Sequence, residues 1–259
     1  MTTLSISRLN RFPVKGLSAE PITSVALRPA EGIPGDRLFG FARYNSGFDP
    51  SDPQPLPKDR FVVLLKEAEL ASLQTRFSAD SQILEVSRNS EFFRFNMRTS
   101  QGRKDAAAFL HRELALADPE PPVFVSSEPH RFTDVSVVSP VMMNAISVLN
   151  LASVQALSRH LGENVHPARF RANIEIDGLP PFAELDAIGS TLVFGDVELR
   201  LLQRTKRCAA TEVNPETAER DLKLPYLLRK HLGHTDMGVY VEVVKPGELR
   251  LGQSGHLLA

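Results

Sequence analysis

The chain has a single cysteine, Cys208, and its neighbours make it the first residue to consider. It closes the run Arg204-Thr205-Lys206-Arg207-Cys208, directly after the alternating segment Asp196 to Gln203. A cysteine flanked by cations is the setting in which the thiolate forms, and the thiolate is both a nucleophile and a soft metal ligand. A free cysteine also packs as a small hydrophobe. Its local context leaves these readings open.

Four further cations stand in or beside loops. Lys15 lies in Phe12-Pro13-Val14-Lys15-Gly16, Arg37 in Gly35-Asp36-Arg37, and Arg169 and Arg171 in Arg169-Phe170-Arg171-Ala172-Asn173. Glycine lets a backbone approach a ligand closely, and guanidinium forks suit phosphate and carboxylate. Taken one at a time, each reads as a solvated surface charge, because spacing alone does not show that they converge. His231 and His234 come without His-Glu-x-x-His or a cysteine pair, so they read as surface or capping residues. Glu219-Arg220-Asp221 reads as a solvated loop cluster. No Gly-x-Gly-x-x-Gly, Walker loop or Gly-x-Ser-x-Gly elbow is present.

The elements that must position these residues are mostly strands. Ile6 to Phe12, Glu91 to Met97, Asp196 to Leu201 and Gly238 to Val244 alternate with period two. Helical stripes are fewer: Leu70, Leu73 and Phe77; Ala106, Phe109, Leu110 and Leu114; and Val154, Leu157 and Leu161, with Asn150 as N-cap and Gly162 as stop. Pro225 opens a fourth helix that ends at Gly233. Asp49 to Pro57 holds four prolines and reads as an exposed loop. Asp118-Pro119-Glu120-Pro121-Pro122 blocks continuation of the helix before it, which places a domain boundary there. The expectation is two β-rich halves, residues 1–118 and 119–259.

With 259 residues, 42% of them hydrophobic, the chain can bury a substantial core. A formal net charge of −1 argues against a nucleic-acid binder, which usually carries a basic excess, but allows a local pocket for one small anion. No apolar run reaches the roughly 20 residues of a membrane helix. Met1 to Arg8 lacks a signal pattern, and one cysteine forms no internal disulfide. No membrane partner and a cytoplasmic location are the expectations.

Together these loops resemble the MOSC family, named for the C-terminus of molybdenum cofactor sulfurase, preceded by its usual N-terminal β-barrel domain. The resemblance rests on Phe12-Pro13-Val14-Lys15-Gly16, Gly35-Asp36-Arg37, Arg169-Phe170-Arg171-Ala172-Asn173-Ile174, and Arg207-Cys208 followed by Thr211, Pro215-Glu216-Thr217 and Glu219-Arg220-Asp221. Gly238-Val239-Tyr240 and Gly247 to Gly252 match the closing strands. It implies a mainly β (α+β) fold of two barrel-like domains with a few short helices, the MOSC barrel at the C-terminus.

The resemblance also implies a molybdenum cofactor, a pyranopterin dithiolene with a phosphate tail. Cys208 would be its protein thiolate ligand, and Arg207 would border the metal as its catalytic neighbour. Lys15, Arg37 and Arg171 would hold phosphate and pterin, Asn173 would bond the pterin edge, and Gly16 and Asn150 would complete the cofactor-binding set. Gly16 stands where amidoxime-reducing relatives carry serine, and Ala218 where glycine is usual. One cysteine cannot hold a plant-type iron–sulfur cluster, which needs four. Neither that cluster nor pyridoxal phosphate is expected, so a reductase would take electrons from a separate donor protein. The implied function is oxygen-atom transfer from a small N-hydroxylated compound. A non-catalytic cofactor or sulfur carrier and a cysteine-nucleophile hydrolase or transferase are the alternatives. Asp221 and Asp236 are the candidate proton donors.

Overall fold

The computed structural model describes residues 3–258. Strand β1 (Thr3–Arg11) opens the chain, followed by β2 (Glu20–Ile22), β3 (Ser24–Leu27) and β4 (Phe39–Ala42). Strands β5 (Gln74–Ser78), β6 (Ile83–Arg88) and β7 (Glu91–Asn96) lead to helix α1 (Ser100–Glu113) and β8 (Val123–Ser126). Then come α2 (Pro140–Met143), β9 (Ile146–Asn150), α3 (Leu151–Leu161), β10 (Ile174–Asp177), α4 (Ala183–Asp186) and β11 (Thr191–Phe194). The chain finishes with β12 (Val197–Lys206), α5 (Leu224–Leu232), β13 (Asp236–Lys245), β14 (Gly247–Arg250) and β15 (Ser254–Leu258).

The mainly β architecture matches the expectation. Seven strands close a barrel in the order β10-β9-β13-β12-β11-β15-β1, because β1 pairs with β15 on one side and returns to β10 on the other. Within the barrel β9 and β10 form the parallel pair, and α3 supplies the crossover that such a pair requires. The period-two residues fill the interior: Val197, Leu199 and Leu201 from β12 meet Val239, Val241 and Val243 from β13. A second apolar cluster joins β4, the antiparallel β5-β6-β7 sheet and α1.

The boundary expected at residue 118 does not follow the strand pairing. The barrel takes β1 from the start of the chain, and β4 pairs with β8 across the proline run. Prolines mark where an element ends, but sheet membership depends on non-local pairing that they do not encode.

Helices α1, α3 and α5 fall where their stripes placed them. The Asn150 side chain accepts from Ala152 N at 3.1 Å to cap α3, and Gly162 and Gly233 end α3 and α5 in left-handed conformation. The stripe Leu70, Leu73, Phe77 is not a helix. Residues 68–72 form a short 3-10 turn and Phe77 lies in β5, opposite Leu84. All three residues are buried, so their spacing reported burial, and strand pairing decided the backbone.

Candidate functional site

The cleft is built where β12 leaves the barrel. This strand pairs irregularly with β13 between Leu201 and Gln203 and again between Arg204 and Lys206. Such bulges re-aim side chains beside functional sites. Gln203 to Cys208 then line one wall of a cleft of about 720 Å³, within the range of small-molecule sites. Opposite stand Lys15, Gly16, Arg37 and Lys58 from the first quarter of the chain.

Two tight backbone positions bring these segments together. Gly16 has φ +87°, and a Cβ there would lie 2.3 Å from Val62 O. Gly238 has φ +73°, and a Cβ would lie 2.4 Å from Val148 O and 3.3 Å from Arg207 Nη2. Arg37 and Arg171 also adopt positive φ, +51° and +50°. That conformation is uncommon outside glycine, and at functional sites the surrounding structure holds it in place. Here both guanidiniums come to rest on the ring of Phe12, 4.5 and 4.4 Å from its centroid.

The cleft is cationic in a chain whose net charge is close to zero. Eight Lys and Arg side chains line it, against two carboxylates, Asp134 and Asp236. Five of these cations have nearby carboxylates. Lys15 and Lys58 share Asp134, Arg37 pairs with Asp36 at 2.5 Å, Arg169 pairs with Asp221 at 2.7 Å, and Arg204 pairs with Asp186 at 2.8 Å. Arg171 and Arg207 are partly buried and have no such partner among the described residues. Arg171 donates to Leu17 O at 2.7 Å. Arg207 donates to Met237 O at 2.8 Å and to Phe170 O at 3.0 Å.

The electrostatics follow from this pairing. Burial, reinforced at Arg171 by Arg37, pulls both guanidiniums down to about 10. Burial also lowers Lys15, with Asp134 opposing it. Burial works against the Arg37 charge, but Asp36 outweighs it and raises the pKa. The Asp134 carboxyl is raised by burial and drawn far below the carboxylate range by Lys15, Lys58 and Arg37. Burial raises the Tyr240 phenol on the cleft wall.

Most of the expected site residues meet here, though not all in the expected roles. Cys208, Arg207, Lys15, Gly16, Arg37, Arg171 and Asn173 all line the cleft. Asn173, however, is already bonded on both ends of its amide. Its Oδ1 accepts from Ser147 Oγ at 2.8 Å and from Arg37 Nη1 at 3.3 Å, while its Nδ2 donates to Asp36 Oδ1 at 3.0 Å. It positions the Arg37–Asp36 pair.

Asn150 is a correction. It is 0% exposed, caps α3 and donates to Pro180 O and Glu184 Oε2 at 2.9 Å each, away from the cleft. Its demand as a helix cap consumes the side chain. Asp221 is outside the lining as well, and its cluster is not free in solvent. It clamps Arg169 while Arg220 donates to the carbonyls of Leu64 and Leu65 at 2.9 Å each. Burial acts upward on Asp221, but its bonds from Arg169 and Asn214 lower its pKa overall, which leaves it poorly suited to donate a proton. Asp236 does line the cleft.

Sequence reasoning missed Lys58, Asp134 and Tyr240. Lys58 Nζ lies 3.2 Å from Cys208 Sγ and 3.3 Å from Asp134 Oδ2. Its position beside the proline-rich loop carried no signal, because the contact joins residues far apart in sequence. Tyr240 sat inside a motif already quoted, Gly238-Val239-Tyr240, where its outward place in an alternating strand was the available clue.

Residues 128–254 match the family model of the MOSC domain. This segment of the chain is a MOSC domain. The chain is 33% identical over 123 residues to mitochondrial amidoxime-reducing component 1 of Mus musculus, covering 43% of this chain and 36% of that protein. It is 36% identical over 98 residues to the molybdenum cofactor sulfurase of Caenorhabditis briggsae, covering 36% of this chain and 14% of that one. The matches thus span only part of these curated relatives. Among solved structures, the YUAD protein from Bacillus subtilis aligns over 98% of this chain and 95% of its own, at 14% identity and a TM-score of 0.45.

The MOSC match contains Arg169, Arg171, Asn173, Arg207 and Cys208. Lys15, Gly16, Arg37 and Lys58 lie outside it and reach the same cleft through the fold. No helix among the described residues is long and apolar enough to cross a membrane.

Proposed function

We propose that this MOSC-domain protein binds the molybdenum cofactor in the cleft and reduces small N-hydroxylated compounds, with electrons from a separate donor protein. The single observation that carries this is the pair of partly buried guanidiniums, Arg171 and Arg207, which have no carboxylate partner among the described residues and stand in the same cleft as the half-buried thiol of Cys208. A charge partly removed from water without a counter-charge is unfavourable, and an anionic ligand offsets that cost. The donor set fits the group: guanidinium forks for a phosphate, and one soft sulfur for a metal whose remaining sulfurs belong to the dithiolene.

When bound, the cofactor supplies two-electron redox chemistry at molybdenum. The chain's own residues bind and orient it. Arg171, with Lys15 and Arg37 nearby, would hold the phosphate end. Cys208 would hold the metal end, with Lys58 donating toward its sulfur. The relatives' names support the same reading, one for amidoxime reduction and one for the molybdenum cofactor itself. Cys208 has Lys58 at its sulfur, and no histidine lines the cleft among the described residues, so a cysteine hydrolase paired with an imidazole base is the weaker reading.

The test is the molybdenum and pterin content of protein from a cofactor-competent host, followed by turnover of an amidoxime with a chemical reductant. Near-stoichiometric molybdenum with repeated turnover supports the reductase. Stoichiometric molybdenum passed to an acceptor apoenzyme, without turnover, makes the protein a carrier. No molybdenum overturns both.

A further inference from the structure

The last turns of α3 and α5 end side by side, away from the chemistry of the cleft. Their shared apolar cluster sets this: Val154 and Leu157 of α3 pack with Leu224 and Leu228 of α5. Each last turn carries a histidine, and the two rings meet. His160 Nε2 lies 2.9 Å from His231 Nδ1, with ring centroids 4.6 Å apart and planes at 77°. A hydrogen bond between two imidazoles needs one ring nitrogen bare, so at least one of the pair is neutral.

We propose that His160 and His231 form a surface site for a borderline divalent transition metal of the zinc, nickel or cobalt class, with water in the remaining positions. Neutral imidazole is the ligand these ions prefer. The facing nitrogens are close enough to share one ion, and rotation of the rings would aim both at it. A second observation points the same way. Both histidines sit at helix C-termini, where unpaired carbonyls and the helix dipole favour a cation, and here two such ends coincide. Arg159, Arg229 and Lys230 are the other cations of the two last turns, and the ion binds against their charge. Binding would staple α3 to α5, which packs on the turn Ala209–Glu212 directly after Cys208.

The experiment titrates wild type, His160→Gln, His231→Gln and Cys208→Ala with Zn2+ alone, following stoichiometry by calorimetry and the thermal midpoint. Wild type and Cys208→Ala should each take up one equivalent that both histidine variants lack. Their midpoints should rise by several degrees with saturating Zn2+ and return with chelator. Both histidines are on the surface of their helices, so each variant folds and each tests the site independently. Equal stoichiometry and equal shifts in wild type and the histidine variants would overturn the site. Loss of the equivalent only in Cys208→Ala would also overturn it, by moving the metal to the cleft.

Discussion

Lys58 and Cys208 are 150 positions apart, yet the ammonium donates to the thiol sulfur at 3.2 Å. The contact joins the turn after the proline-rich loop to the end of the barrel strand, and Asp134 holds Lys58 from the other side. It explains why the cleft exists only in the folded chain. It also separates two roles for Cys208. The half-exposed side chain contributes little to packing, so Cys208→Ala should change stability by less than about 1 kcal/mol. The same variant should lose its molybdenum. Metal analysis beside urea unfolding checks both, and retained metal would remove Cys208 as the ligand.

Arg171→Gln should weaken anion binding roughly 10- to 100-fold, the worth of a charge-assisted hydrogen bond to a buried group. The apo protein should lose little stability, because the change also relieves repulsion with Arg37. Inorganic phosphate provides the probe: it should raise the wild-type melting point and leave the variant almost unmoved. An equal phosphate shift in both proteins would place the anion elsewhere.

Asn173→Ala should behave differently, although the residue lines the same cleft. Its amide satisfies Ser147, Arg37, Asp36 and the carbonyl of Asn10. Truncation leaves several buried groups unpaired and should cost about 2–4 kcal/mol, or roughly 5–10 °C in melting temperature, without any ligand present. A direct ligand contact predicts the reverse pattern, a normal apo melting point with lost affinity. Differential scanning calorimetry of the apo form separates the two.

The buried carboxyl of Glu184 accepts from Asn150 Nδ2 at 2.9 Å and from Ser153 Oγ at 2.8 Å, with no cation paired to it among the described residues. Burial raises its pKa more than these bonds lower it. A carboxyl raised on folding binds more protons in the native state. Its contribution is therefore full below the ordinary glutamate value and is lost as pH rises through the raised native value. Relative to wild type, Glu184→Gln should gain stability progressively from about pH 4 upward and then level off. Urea midpoints across pH 4–8 test this, and a difference independent of pH would mean that Glu184 keeps its ordinary value.

Ala218 adopts φ +61°, at a position where glycine is usual in the family it resembles. Ala218→Gly should relieve that strain and stabilise the chain by at most about 1 kcal/mol, since glycine's added freedom in the unfolded state offsets part of the gain. A lower melting point in the variant would show that the methyl's burial outweighs the strain.

The sequence by itself determined what local chemistry controls. Alternating Val and Leu in β12 and β13 announced barrel strands, and Asn150, Gly162, Pro225 and Gly233 marked the ends of helices through backbone geometry that each residue type dictates. The motifs around Lys15, Arg37, Arg171 and Cys208 made them candidates through resemblance to the MOSC family, without showing that they converge. Only the tertiary structure decided what those residues share. Strand β1 completes a barrel formed mostly by the second half of the chain, Phe77 belongs to a strand despite its helical spacing, and Lys58 and Asp134 stand beside Cys208 and Lys15. The structure also showed that Asn150 and Asn173 spend their amides on the protein itself. Local periodicity and capping act within a few residues. Strand pairing, burial and charge pairing act between residues that folding alone brings together, and these fix which cations are left without a partner.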